Sequence, residues 1–306
     1  MGTQCCASEP VIDASPYKII CLVVKNEQYY IRTFSCVNEF SNEMIINPNL
    51  FNPKGLSQVS KGNVLYLVGS ESNEYNNTNH SEIVSTFISI DVLSQPITIS
   101  IELPPNEIHT NPCLVLSYDK EELYVIGGNN TMKCEYFSFK DMKWVMMPSL
   151  PNIRFNCSVV SINDSIVVYG GYKDNELNEF DNSLILYDKM KIEWETIAII
   201  ELNKNIERGL NGIWFDKGKL FLFSDNDNRN GNDNVVNVEY KENWNESTNV
   251  EKIEVVFGKS KGNGECYSVC QNKNMVFWFD NIEEGKIVKW DLELASVSCI
   301  NFFNGK

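Results

Sequence analysis

A short apolar run followed by a polar turn recurs along this chain, and that recurrence constrains the fold more than any other feature. The runs are NVLYLVGS (63–70), EELYVIGGN (121–129), SIVVYGGY (165–172), KLFLFSD (219–225) and MVFWFD (275–280). Each is brief, rich in β-branched and aromatic residues, and bounded by Gly, Asn or Asp, which is how strands read and helices do not. No long stretch with a 3.6-residue period competes with them. The chain is therefore expected to be all-β. These five runs are read as the inner strands of successive sheets, because a sheet that is apolar on both faces must be covered on both.

The segments downstream of these runs repeat as well. After Gly127–Gly128 come a polar loop, CEYFSF (134–139), Asp141 and Trp144. After Gly170–Gly171 come a polar loop, SLILYD (183–188) and Trp194. The last unit keeps IVKWD (287–291) without the glycine pair. A pair of glycines after an apolar strand permits positive φ and close backbone approach between neighbouring sheets. The Trp and Tyr supply large apolar surfaces to fill the space between them.

Glycine pair, then Tyr, then Trp is a pattern that resembles the kelch family. The run starts lie about 43 to 59 residues apart, near the period of roughly 50 residues typical of such arrays. The resemblance covers about residues 15–303 and is strongest in the middle third. It implies a kelch-type β-propeller of six four-stranded blades, near 15–50, 51–104, 105–151, 152–203, 204–258 and 259–303. The sixth inner strand is QYYIRTFS (28–35), preceded by KIICLVV (18–24). Residues 1–14 are expected to form a tether and 15–306 the propeller, with no further recruitment domain in the chain. Which terminal strand closes the ring is left open by the sequence.

Charge and cysteine usage narrow the setting. The net charge of −15 argues against nucleic acid, which binds proteins through clustered Lys and Arg. No stretch of 18 apolar residues offers a spanning helix. Of ten cysteines, Cys21, Cys113, Cys134, Cys157, Cys270 and Cys299 sit in apolar runs and read as small buried hydrophobes. The N-terminus lacks the apolar core of a secretory signal. A reducing, cytoplasmic setting without disulfides is expected.

Catalytic groups are sparse. The two histidines, His80 and His109, stand in polar loops and read as surface residues. No nucleophile-elbow, zinc-protease or phosphate-loop motif occurs. Cys266 and Cys270 would lie roughly 13 Å apart along a strand, too far for one zinc. The 225–233 loop (DNDNRNGND) has Asp225 and Asp227 in calcium-loop spacing, but Arg229 replaces a ligand and no Glu closes it. No cofactor or metal is expected, and no enzymatic activity. The other reading is a propeller enzyme of the sugar-modifying or oxidase kind, which would need a deep polar axial pocket.

Two places are candidates for function. The N-terminus, MGTQCCASEP, puts Gly2 where N-myristoylation requires it and Cys5 and Cys6 where palmitoylation would add a second anchor. Cys6 occupies the position where the motif prefers Ser or Thr, and an unmodified N-terminus is the alternative. The kelch resemblance implies partner-binding loops on one face. It assigns Arg154 and Arg208 to the loops that enter blades, and Asn129 and Tyr172 to the positions after the glycine pairs. His109 and Lys261 lie near the corresponding place in other units. Each arginine reads equally as a loop residue paired with a local carboxylate. The expectation is a monomeric, non-catalytic protein–protein interaction platform in the cytoplasm, at the cytoplasmic face of a membrane if acylated.

Overall fold

The computed structural model describes most side chains from 20 to 199, the longest stretches left out being 73–82 and 174–179, and the backbone of the strands between 210 and 301. The described residues form strands and no helices, in six antiparallel sheets, each built from consecutive strands. The first sheet has three described strands, β1 (Lys18–Lys25), β2 (Gln28–Ser35) and β3 (Phe40–Ile46). Four strands were expected there. The second has β4 (Leu56–Lys61), β5 (Val64–Ser72), β6 (Ile83–Asp91) and β7 (Thr98–Ile101). The third has β8 (Cys113–Leu116), β9 (Glu122–Ile126), β10 (Cys134–Ser138) and β11 (Lys143–Met147). The fourth has β12 (Ser158–Ile162), β13 (Ser165–Tyr169), β14 (Ser183–Asp188) and β15 (Glu193–Ile199). The fifth has β16 (Leu210–Asp216), β17 (Lys219–Ser224), β18 (Asp233–Glu239) and β19 (Gly258–Ser260). The sixth has β20 (Val269–Asn272), β21 (Met275–Asn281), β22 (Lys286–Asp291) and β23 (Ser296–Asn301).

Neighbouring sheets meet through their first strands. β1 lies against β4, β4 against β8, β8 against β12 and β12 against β16, while β20 returns to β1. The first strand of each sheet thus faces a common axis. This corrects the placement of the apolar runs: they are second strands (β5, β9, β13, β17 and β21), as is the run at β2. The physical reason is coverage. A second strand has a hydrogen-bonded neighbour on each side and a sheet on each face, so most of its side chains are buried, as in β9 and β13, where every residue after the first is. The β1–β20 contact brings the first and last sheets together, and among the described residues each is built from consecutive strands.

The core is a series of apolar layers between sheets. Ile20, Leu22 and Ile31 of the first sheet pack with Leu65, Leu67, Ile88 and Ile90 of the second. Val68 and Phe87 of the second pack with Leu123, Val125, Phe137 and Trp144 of the third. Tyr124, Ile126 and Cys134 of the third pack with Ile166, Val168, Ile185 and Tyr187 of the fourth. Strand β9 therefore sends Leu123 and Val125 to one neighbour and Tyr124 and Ile126 to the other. Strict alternation on two buried faces produces an unbroken apolar run. Each such side chain contributes about 1.5–3 kcal/mol on burial.

The tryptophans join this layering to the connections. Trp144 stacks edge-on to Phe87 across the sheet boundary, at 5.4 Å between centroids, and its Nε1 donates to Leu103 O at 2.6 Å. Trp194 lies 5.2 Å from Tyr187 and donates to Pro148 O at 2.9 Å. Each therefore ties its sheet's outermost strand to the connection entering that sheet.

The glycine pair of the third sheet shows why that residue type recurs. Gly127 has φ +59°, and a Cβ there would stand 2.7 Å from Arg154 O. A Cβ on Gly128 would stand 2.8 Å from Thr110 O. The connections entering the third and fourth sheets thus press on the same turn from two sides. Gly62, with φ +61° and nothing within 4 Å, gives a control. Gly62→Ala is expected to cost only the left-handed strain, about 1–2 kcal/mol. Gly127→Ala is expected to lose more than this by chemical denaturation, because backbone must also move. Equal losses in the two variants would show that the close approach yields freely.

Candidate binding rim at the glycine turns

Two polar clusters recur beside the glycine turns, each organised by a nitrogen-bearing side chain in the loop entering a sheet. Arg154 precedes the first residue of β12, Ser158, by four positions. His109 precedes the first residue of β8, Cys113, by the same four. Both are fully buried.

Arg154 spreads its guanidinium over one sheet. Nη1 donates to Gly170 O and to Ser183 O, each at 3.0 Å. Nη2 donates to Ser183 Oγ and lies 3.1 Å from Asp181 Oδ2. Asp181 Oδ1 in turn accepts from Ser183 N at 2.9 Å and Ser183 Oγ at 2.6 Å. Burial draws the guanidinium below its ordinary pKa, and the Asp181 charge opposes that. The rim-facing arginine that the family pattern implied is therefore an interior one, occupied by carbonyls and a carboxylate. The alternative reading, pairing with a local carboxylate, is what the geometry shows. Asp181 had no part in the sequence reading, although it stands two residues before the SLILYD strand.

His109 does the same one sheet earlier. Its Nδ1 lies 2.8 Å from Gly127 O and its Nε2 3.1 Å from Glu135 Oε1. Glu135 on β10 also accepts from Glu107 N at 3.0 Å, Asn106 N at 3.1 Å and Asn106 Nδ2 at 2.9 Å. Burial alone would raise the Glu135 carboxyl. The hydrogen bonds from His109 and the two backbone N–H groups outweigh it and hold the pKa below the usual carboxylate value. His109 therefore bridges the Gly127 carbonyl and the Glu135 carboxylate through its two ring nitrogens. His109 is thus no surface residue. The sequence sign of this was Glu135, a charge inside the apolar run CEYF.

In both clusters the loop side chain grips the carbonyl of the first glycine and a carboxylate borne by the third strand or the residues entering it. This fixes the turn and leaves the next residues at the rim. Asn129 is half-buried, its N–H donating to Thr110 O at 2.7 Å, and among the described residues nothing donates to its Oδ1. Tyr172 is half-buried, pairs with Phe180 in an isolated antiparallel bridge, and stacks on it at 5.5 Å. Asn129 and Tyr172 therefore occupy matching places in adjacent sheets. Gly2, Cys5, Cys6, His80, Arg208, Lys261 and Cys266 lie outside the described residues, as does the segment 225–232. Among the described residues no group of three or more His, Cys, Asp or Glu could hold a metal, and no helix is long and apolar enough to cross a membrane.

The cluster around Arg154, Gly170–Gly171 and Trp194 coincides with a match to the kelch motif, which spans residues 153–199. The chain carries a kelch motif. Kelch-like protein 40a from Danio rerio is 33% identical over 98 residues, 29% of this chain and 16% of that protein. An F-box/kelch-repeat protein from Arabidopsis thaliana is 22% identical over 125 residues, 40% of this chain and 36% of that protein. The chain thus matches well under half the length of either relative. Its all-β sheets are kelch-type blades.

Proposed function

We propose that this kelch-type ring of six blades is a non-catalytic platform that presents its glycine-turn rim to a protein partner. The observation that carries the reading is the repeated cluster. In two adjacent blades a buried side chain, His109 or Arg154, holds the glycine turn by its carbonyl, so the half-buried Asn129 and Tyr172 follow a fixed backbone. A rigid backbone lowers the ordering cost of binding. Acyl chains on Gly2 and on Cys5 or Cys6 would hold the platform, as a monomer, at the cytoplasmic face of a membrane; one chain alone binds only marginally.

Affinity capture of the chain from its native cell, with intact mass read on the same material, tests both parts. Tyr172→Ala combined with Asn129→Ala is expected to reduce recovery of the specific partner at least tenfold while the thermal unfolding midpoint stays close to that of the parent. Unchanged recovery would move the interface elsewhere. A mass explained by the bare chain, without lipid, would end the acylation proposal and leave the rim untouched.

A further inference from the structure

Cys113 and Cys157 bring two thiols together across a blade boundary. Cys113 opens β8, the first strand of the third sheet, and Cys157 stands immediately before β12, the first strand of the fourth. Their sulfurs are 3.0 Å apart, and the Cys113 thiol donates to Cys157 O at 2.6 Å. Both are free thiols, Cys157 buried and Cys113 half-buried. The sulfurs need approach by only about 1 Å to reach the disulfide distance.

We propose that Cys113 and Cys157 are an oxidisable dithiol that takes a peroxide and closes into a reversible disulfide, joining the inner strands of adjacent blades. The Cys157 thiolate attacks the peroxide O–O bond, forming an S–O bond and releasing hydroxide. The Cys113 sulfur then attacks the sulfenic sulfur; the S–S bond forms, the S–O bond breaks, and water leaves with the Cys113 proton. Two thiols are oxidised and one peroxide is reduced to water. The order of roles follows the surroundings. The hydrogen bond with Cys113, opposed by burial, and the charge of Arg154 draw the Cys157 thiol below its ordinary pKa. The same hydrogen bond and burial push Cys113 up.

Two other thiols serve as controls within the same molecule. Burial pushes Cys21 and Cys134 up to about 12, so neither supplies thiolate at neutral pH. Cys134 shares the apolar cluster with Cys157, but its thiol is aimed at Met132 O, 3.6 Å away. The bridge would enclose the whole of the third sheet and restrain the connection that carries Arg154, so its formation would couple oxidation to the turn beside the rim.

The test treats the reduced, full-length chain with hydrogen peroxide, quenches with an alkylating agent under denaturing conditions, and maps peptides without reduction. A Cys113–Cys157 cross-linked peptide is expected, reversed by dithiothreitol, with Cys21 and Cys134 alkylated. Oxidation should also raise the thermal midpoint of the parent and of Cys21→Ser, but not of Cys113→Ser. Recovery of both cysteines as sulfinic acids, or a link through Cys134, would overturn the proposal. So would full alkylation of Cys113 and Cys157 after peroxide. These readouts come from the parent chain, so they stand even if Cys113→Ser fails to fold.

Discussion

Arg154→Ala is expected to destabilise the protein by about 3–5 kcal/mol, the usual loss when one member of a buried ion pair is removed. On a chain of this size the unfolding midpoint should fall by roughly 5–15 °C. Four acceptors depend on the guanidinium: Gly170 O, Ser183 O, Ser183 Oγ and Asp181 Oδ2. Removing it strands buried carbonyls and leaves the Asp181 charge with only the Ser183 donors. The comparison with surface pairs decides the scale. Lys191 lies 3.6 Å from Asp188 and from Glu195, but it is 56% exposed, and such pairs contribute less than about 1 kcal/mol. Arg154→Lys should recover only part of the loss, because an ammonium is a point donor and cannot span the fork of acceptors. A double-mutant cycle with Asp181→Ala separates the pair from general cavity formation. Coupling well above about 1 kcal/mol is expected, since each single change strands its partner. Additive losses would mean that the guanidinium acts by filling space.

Arg154 also shows what the sequence made legible and what it could not. Its position ahead of a blade, and the Gly-Gly and Trp further along, were readable from the repeat. The direction of the side chain was not, because the same loop residue can point out toward a partner or in toward a carbonyl. The choice depends on acceptors brought near only by folding. Asp181 is 27 positions further along the chain, and Gly170 O is a backbone group that carries no side-chain signal. The second sheet makes the same point with glycine. It lacks a Gly-Gly dipeptide, so its marker looked lost. In the fold Gly69 meets Gly55 from the neighbouring strand entry, and a Cβ on Gly69 would stand 2.2 Å from Gly55 O. The close approach persists with one glycine on β5 and the other just before β4, and a search for the dipeptide cannot see it. The mistaking of second strands for inner ones has a similar cause: burial makes a run apolar, but burial is greatest one strand away from the axis.

Glu135 is expected to make part of the protein's stability acid-labile. Its carboxylate accepts four hydrogen bonds, from His109, Glu107 and twice from Asn106, and its side chain is fully buried. Those bonds hold its folded pKa below that of the unfolded chain, which is about 4.3 for Glu. Between the two values the unfolded state binds a proton that the folded state refuses, so stability rises with pH there. The contribution is complete above the unfolded value and is lost as pH falls through the folded one. Other carboxylates titrate in the same range, so the informative quantity is the difference between the parent and Glu135→Gln. Gln keeps an acceptor for His109 but turns an NH2 toward one set of N–H donors. It should cost about 2 kcal/mol at neutral pH, where the native acceptor is charged. Glu135→Ala, which leaves the buried partners of all four hydrogen bonds without their acceptor, should cost more than Glu135→Gln. Denaturant unfolding of the parent and Glu135→Gln at stepped pH should give a constant gap above the carboxylate range. The gap should narrow below it, because protonation brings the native side chain toward the neutral state that Gln imitates. A gap independent of pH through the acid range would mean that Glu135 holds no depressed carboxylate.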